Sequence, residues 1–289
     1  MESHSAQIKK GMHMKNTNTR KTAPKRQYVS PAMEALLLSP SQASTPTVED
    51  MRIQRVYAFS MASPFFYTPL YRHTLGNWES VYFVFWIKGI QVRDQTNDFM
   101  PWPDYELYQL FNLCGQQQQI IIDTLVSLNL MHIRHQTAPL KFEFSFDNQK
   151  FDALCEKNQV EKSLYSGDFE IRVTSICSIL QMGAPLYAPL FYLSVHDRAI
   201  FIRSDAIESR DSTVILDTGM SQAEIEDAKA HLIKTGVIKT HAINEQLNWV
   251  QLNRKLVRDN PFLTHCENKV RKLLKANQPI PFMPATEGA

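Results

Sequence analysis

Apolar positions along the chain fall into short phrases with two distinct periods. Ile121, Leu125 and Leu128 recur at helical spacing and predict a helix over 116–128, stopped at Asn129. A shorter helix over 104–112 precedes it, with Pro101 and Pro103 just before its start. Alternation then predicts strands over 131–136 and 140–146, turned at Thr137-Ala138-Pro139. The same phrase returns 107 positions later. Ser221 and Glu224 have the spacing of a capping box, Ile225, Ala228, Leu232 and Ile233 form the apolar stripe, and Gly236 closes the helix. A second hairpin follows over 237–241 and 247–252. Residues 125–131 align with 232–238, and the aromatic run 81–89 with 188–196, at one common offset. Two matches in one register read as an internal repeat.

Two short helices, an amphipathic helix and a hairpin resemble the winged-helix superfamily. The phrase Ala230-His231-Leu232-Ile233-Lys234-Thr235-Gly236-Val237-Ile238 is similar to its passage from final helix to first wing strand. There a leucine packs the core and a glycine allows the sharp exit. The resemblance covers residues 65–147 and 185–254 and carries no catalytic residue. It implies a helix-rich α+β fold of two winged-helix-like domains, over 51–150 and 151–260. A flexible basic N-terminal tail (1–50) and a short C-terminal tail (261–289) with a short helix would flank them.

Composition agrees with packed cores, since 44% of the 289 residues are apolar. The longest apolar stretch, 81–87, stops at Lys88, whereas a spanning helix needs about 20 residues. No secretory signal pattern opens the chain, and four scattered cysteines give neither a disulfide framework nor a zinc spacing. A soluble, cytoplasmic protein is therefore expected. The net charge of +2 conceals a gradient. Residues 1–50 carry seven Lys/Arg and four Asp/Glu, while residues 146–260 carry thirteen basic and sixteen acidic side chains.

Catalytic signatures are missing: there is no P-loop, dinucleotide-binding glycine motif, zincin helix or nucleophile elbow. His132 and His135 lie three apart on an expected strand, a poor metal pair. His196-Asp197-Arg198 lacks the residue order of a kinase triplet, and Cys114 has no assignable base. No enzyme activity, cofactor, metal or small-molecule substrate is expected.

Nucleic-acid binding is one expectation. Gln116, Gln117 and Gln118 would face base edges, and Lys229, Lys239, Arg254, Lys255 and Arg258 would face phosphates. Against it, no Lys or Arg lies between Arg93 and Arg134, and Glu224, Glu226 and Asp227 open the second long helix. The aromatic zone supplies the other expectation. Phe65, Phe66, Tyr67, Tyr71, Trp78, Tyr82, Phe83, Phe85 and Trp86 outnumber what one face of a helix buries. The surplus is expected to face solvent as a homodimer or protein-partner interface. The favoured expectation is accordingly a non-catalytic adaptor or scaffold in a bacterial-type assembly, such as a secretion or chromosome-organising machine. The alternative is a tandem winged-helix DNA-binding protein, a transcription regulator or a replication initiator of a plasmid or mobile element.

Overall fold

In a computed structural model, the described residues are 48–60, 66–94, 99–157, 169–244 and 247–275. They form a helix-rich α+β fold with small antiparallel sheets. The chain runs α1 (Val48–Ser60), β1 (Phe66–Tyr67), α2 (Pro69–Leu75), α3 (Trp78–Asp94), β2 (Met100–Pro101), α4 (Asp104–Phe111) and α5 (Gly115–Ser127). It continues with β3 (Met131–Ala138), β4 (Lys141–Phe146) and α6 (Asn148–Lys157). Next come β5 (Phe169–Glu170), α7 (Val173–Gln181), α8 (Ala188–Phe201), β6 (Ala206–Arg210), α9 (Asp211–Thr218) and α10 (Gln222–Lys234). Last are β7 (Ile238–Ala242), β8 (Leu247–Leu252), α11 (Arg254–Arg258) and α12 (Pro261–Lys275).

One order of elements occurs twice, from β1 to α6 and from β5 to α11. Each copy holds a three-stranded antiparallel sheet with the hairpin's second strand in the centre, β2-β4-β3 and β6-β8-β7. The backbone repeats in finer detail. Left-handed residues stand at Gly76, Asn112 and Asn129 in the first copy and at Gly183, Gly219 and Gly236 in the second, each pair 107 positions apart. Such positions exclude most side chains, and Gly and Asn tolerate them best. The helix starts correspond as well. Gln117 Oε1 accepts from the Cys114 backbone N–H at 3.0 Å, and Glu224 Oε2 from that of Ser221 at 2.8 Å.

The two copies share one continuous core. β1 pairs with β5, matching Phe66 to Glu170 and Tyr67 to Phe169. The Tyr67 hydroxyl donates to the Thr218 carbonyl at 2.5 Å, and the Tyr82 hydroxyl to that of Leu186 at 2.5 Å. Beneath α1, Arg55 Nε lies 2.8 Å from the fully buried Glu106 carboxylate. Burial raises the pKa of Glu106 and the Arg55 charge opposes that rise.

Three expectations need correction. The division at residue 150 falls inside α6, because β4 runs directly into a helix whose Phe151 is buried. The C-terminal tail begins instead with the 15-residue α12, whose Leu263, Cys266 and Val270 are buried and which packs along α1. Residues 48–50 belong to α1 rather than to a tail; the rest of the expected basic tail lies outside the described residues.

Candidate nucleic-acid interface

The aromatic zone is interior. Trp78, Tyr82, Phe83, Phe85, Trp86 and Tyr67 are buried, and Tyr71 is half-buried against Phe151. The expected solvent-facing row is therefore corrected. α3 is covered on one side by its own copy, where Phe83 stacks on Trp102 at 5.3 Å and meets Phe144 and Phe146. On the other side the second copy supplies Leu186, Tyr187 and Glu224. A helix apolar all round is a buried helix, and the unbroken run 81–87 already carried that signal. Phe66, at 54% exposure, faces solvent, and Phe65 lies outside the described residues.

The expected base-reading glutamines separate. Gln116 is exposed at the start of α5. Gln117 caps that helix through its own side chain. Gln118 is 3% exposed, accepts from Trp102 Nε1 at 2.8 Å and donates to the carbonyls of Asp104 and Leu113, so its place as a base contact is withdrawn. On α10, Glu224 accepts from Trp78 Nε1 at 2.6 Å and Asp227 from the Tyr187 hydroxyl at 2.5 Å. Glu224 thus binds the two copies together, while Asp227 stays exposed and is held within the second copy. Lys229 is tied to Asp211 in a half-buried ion pair, which removes it as a phosphate contact.

Basic side chains available to a ligand gather instead on the hairpins and the segments after them. Pairing places Lys239 opposite Gln251 and His241 opposite Trp249, while Thr240 pairs with the buried Val250. Lys239, His241, Trp249 and Gln251 therefore share the outer face of the second sheet, and all four are exposed. Trp249, 40% exposed, was not among the expected site residues, although strand alternation alone places it on that face. The first sheet presents His132, Arg134, Glu143 and Ser145 at the corresponding places, with Arg134 and Glu143 2.8 Å apart. His135 has φ 53 at the irregular end of that hairpin, so local backbone bending sets its direction rather than strict alternation.

A basic corner adjoins the second hairpin. Asn253 N–H donates to the Val237 carbonyl at 2.8 Å, and its side chain donates to that of Gly236 at 3.3 Å. The start of α11 is thereby fixed beside the α10–β7 junction. Lys234 and Lys239 are exposed on either side of that junction, and Lys255, also exposed, follows Asn253 by two positions. Arg254 is held by the Ser204 carbonyl at 2.6 Å and Asp205 at 3.2 Å, whereas Arg258 is exposed.

Among the described residues no three His, Cys, Asp or Glu side chains are placed to hold a metal, and no helix is long and apolar enough to cross a membrane. No family model matches the chain, and no curated protein or solved structure matches it either.

Proposed function

We propose that the chain is a non-catalytic tandem winged-helix protein that binds duplex DNA, in the manner of a bacterial transcription regulator or of a plasmid or mobile-element replication initiator. The observation that carries the reading is the repeated order of helix, strand, two helices and hairpin, with both copies fastened by one buried seam. Contact is assigned to the second hairpin and to α11, through Lys239, His241, Lys255 and Arg258, rather than to α5, which carries no Lys or Arg, or to the acidic start of α10. Each phosphate neutralised by such a side chain releases counterions, so the binding is salt-dependent. The test is anisotropy of the full chain with a mixed-sequence duplex across a salt series. The three cations Lys239, Lys255 and Arg258 predict an affinity loss of about 40-fold between about 50 and 200 mM salt. Binding too weak to detect at the low-salt end overturns the reading.

A second reading, the protein-binding adaptor, rests on a different surface from the one the sequence suggested. Ile200, Phe201 and Ile202 are 39%, 89% and 57% exposed at the end of α8. Adjacent exposed apolar side chains of this size are a feature of association surfaces. Self-association that Phe201→Ser abolishes, in a chain that fails to bind duplex, favours the adaptor.

A further inference from the structure

A cavity of ≈ 330 Å³ opens in the second copy between α7, α8 and α11. Three guanidiniums line it: Arg172 at the N-cap of α7, and Arg254 and Arg258 on α11. Tyr192 and His196, one turn apart on α8, form another wall, their rings stacked at 5.4 Å. Thr174, in the first turn of α7, lines it as well, and no side chain caps that turn, so its backbone N–H groups are open to an acceptor.

Two features distinguish the cavity from an ordinary charged surface. The arginines are already positioned: Arg172 pairs with Glu170 at 3.2 Å, and Arg254 with Asp205 at 3.2 Å and with the Ser204 carbonyl. Arg258 makes no ion pair among the described residues and leaves a cationic charge unneutralised. The Tyr192 hydroxyl, in a fully buried side chain, has no hydrogen-bond partner among the described residues. Buried hydroxyls are normally satisfied, and an orphan beside arginines implies an acceptor that completes the set. His196 stays neutral, since burial and then the charges of Arg172 and Arg254 lower its pKa to about 4.

We propose that this cavity binds the phosphate group of a small phosphomonoester. Donors reach it from three helices, and a tetrahedral phosphate presents oxygens in more directions than a planar carboxylate. The volume exceeds what phosphate alone fills, and Ile200 and Val257 give the remaining wall an apolar edge for an esterified organic group. This site shares Arg258 of α11 with the duplex reading, and the rest of its lining is distinct from the hairpin residues that reading uses.

Calorimetric titration of the full chain with inorganic phosphate, adenosine monophosphate, adenosine and acetate tests the proposal. Phosphate and the monophosphate should bind, the monophosphate more tightly, while adenosine and acetate should not. Arg258→Gln should weaken binding of the monophosphate by about tenfold or more. Tyr192→Phe should weaken it several-fold with the thermal midpoint unchanged, because the removed hydroxyl has no protein partner. No heat from either phosphorylated probe at millimolar concentration overturns the proposal. So does equal binding of adenosine and its monophosphate, or unaltered affinity in both variants. Loss of duplex binding in Arg258→Gln, with no phosphorylated probe bound by the unmodified chain, overturns it in favour of a DNA-backbone contact.

Discussion

Trp78 and Glu224 join the two copies of the fold through a single hydrogen bond, Nε1 to Oε1 at 2.6 Å. The other carboxylate oxygen caps the first turn of α10 at Ser221. One side chain thus finishes a helix and docks the neighbouring copy. Trp78 is also nearly buried, with Arg72 over its ring at 5.0 Å and Tyr187 at 6.4 Å.

Trp78→Ala should therefore destabilise the protein by about 3–5 kcal/mol, the range for emptying a buried aromatic site. Glu224→Ala should cost about 1–2 kcal/mol through the missing cap and the stranded indole N–H. Urea unfolding reads both, and light scattering should show no change of oligomeric state in either. A change in association with stability intact would place Trp78 at an external interface instead.

Asn129 and Gly236 end the two long helices in the same way. In each, the left-handed residue donates to the carbonyl three positions back and the next residue to one five back, Leu130 to Leu125 and Val237 to Leu232. Gly236→Val should cost about 1–2 kcal/mol from the left-handed penalty alone. Leu256, 3.9 Å from where a Cβ would stand, adds only ordinary contact. Gly236→Asn should cost clearly less, because the first copy already uses asparagine there. Equal costs for the two variants in urea unfolding would show that the helix end tolerates either side chain and that the backbone conformation is not what the position requires.

These helix ends are where the sequence was most legible. Capping residues, left-handed stops and strand alternation are local, so Ser221, Glu224, Asn129 and Gly236 announced their structural places from spacing alone. The aromatic row was not legible in the same way. Whether Tyr82 or Trp86 faces solvent depends on what the second copy lays against α3, and that cover is supplied from more than 100 positions away. Gln118 misled for a similar reason: its neighbours Gln116 and Gln119 are exposed, but one helical step turns it inward onto Trp102. The Arg172–Arg254–Arg258 cavity had no sequence signature at all. Its arginines come from two segments 82 positions apart that share no motif.

His196 makes stability pH-dependent with a definite sign. Its folded pKa is about 4, below the ordinary 6.5, so between those values the unfolded chain binds a proton that the folded chain does not. Stability contributed by the neutral ring is complete above the upper value and is lost as the pH falls toward the lower one. Between pH 7 and 5 the loss should be about 2 kcal/mol. Asp217 and Glu106, whose pKa values burial raises, act with the opposite sign near their own lower range. Urea unfolding of His196→Gln beside the unmodified protein isolates the contribution: the difference between them should shrink on acidification. Parallel pH profiles would remove His196 as the cause.

Charge reversal on the second hairpin and α11, with duplex affinity measured over a salt series, decides whether DNA is held there. Lys239→Glu/Lys255→Glu removes two exposed cations that make no ion pair among the described residues, so the fold should persist. Binding should weaken at least tenfold, and the log–log salt slope should fall by roughly two, about 0.9 for each phosphate no longer neutralised. Gln116→Glu, on the exposed start of α5, should change the affinity far less and leave the slope nearly unchanged. The opposite pattern, with Gln116→Glu abolishing binding and the double variant retaining full affinity and slope, would contradict a hairpin contact and move the duplex to α5 of the first copy.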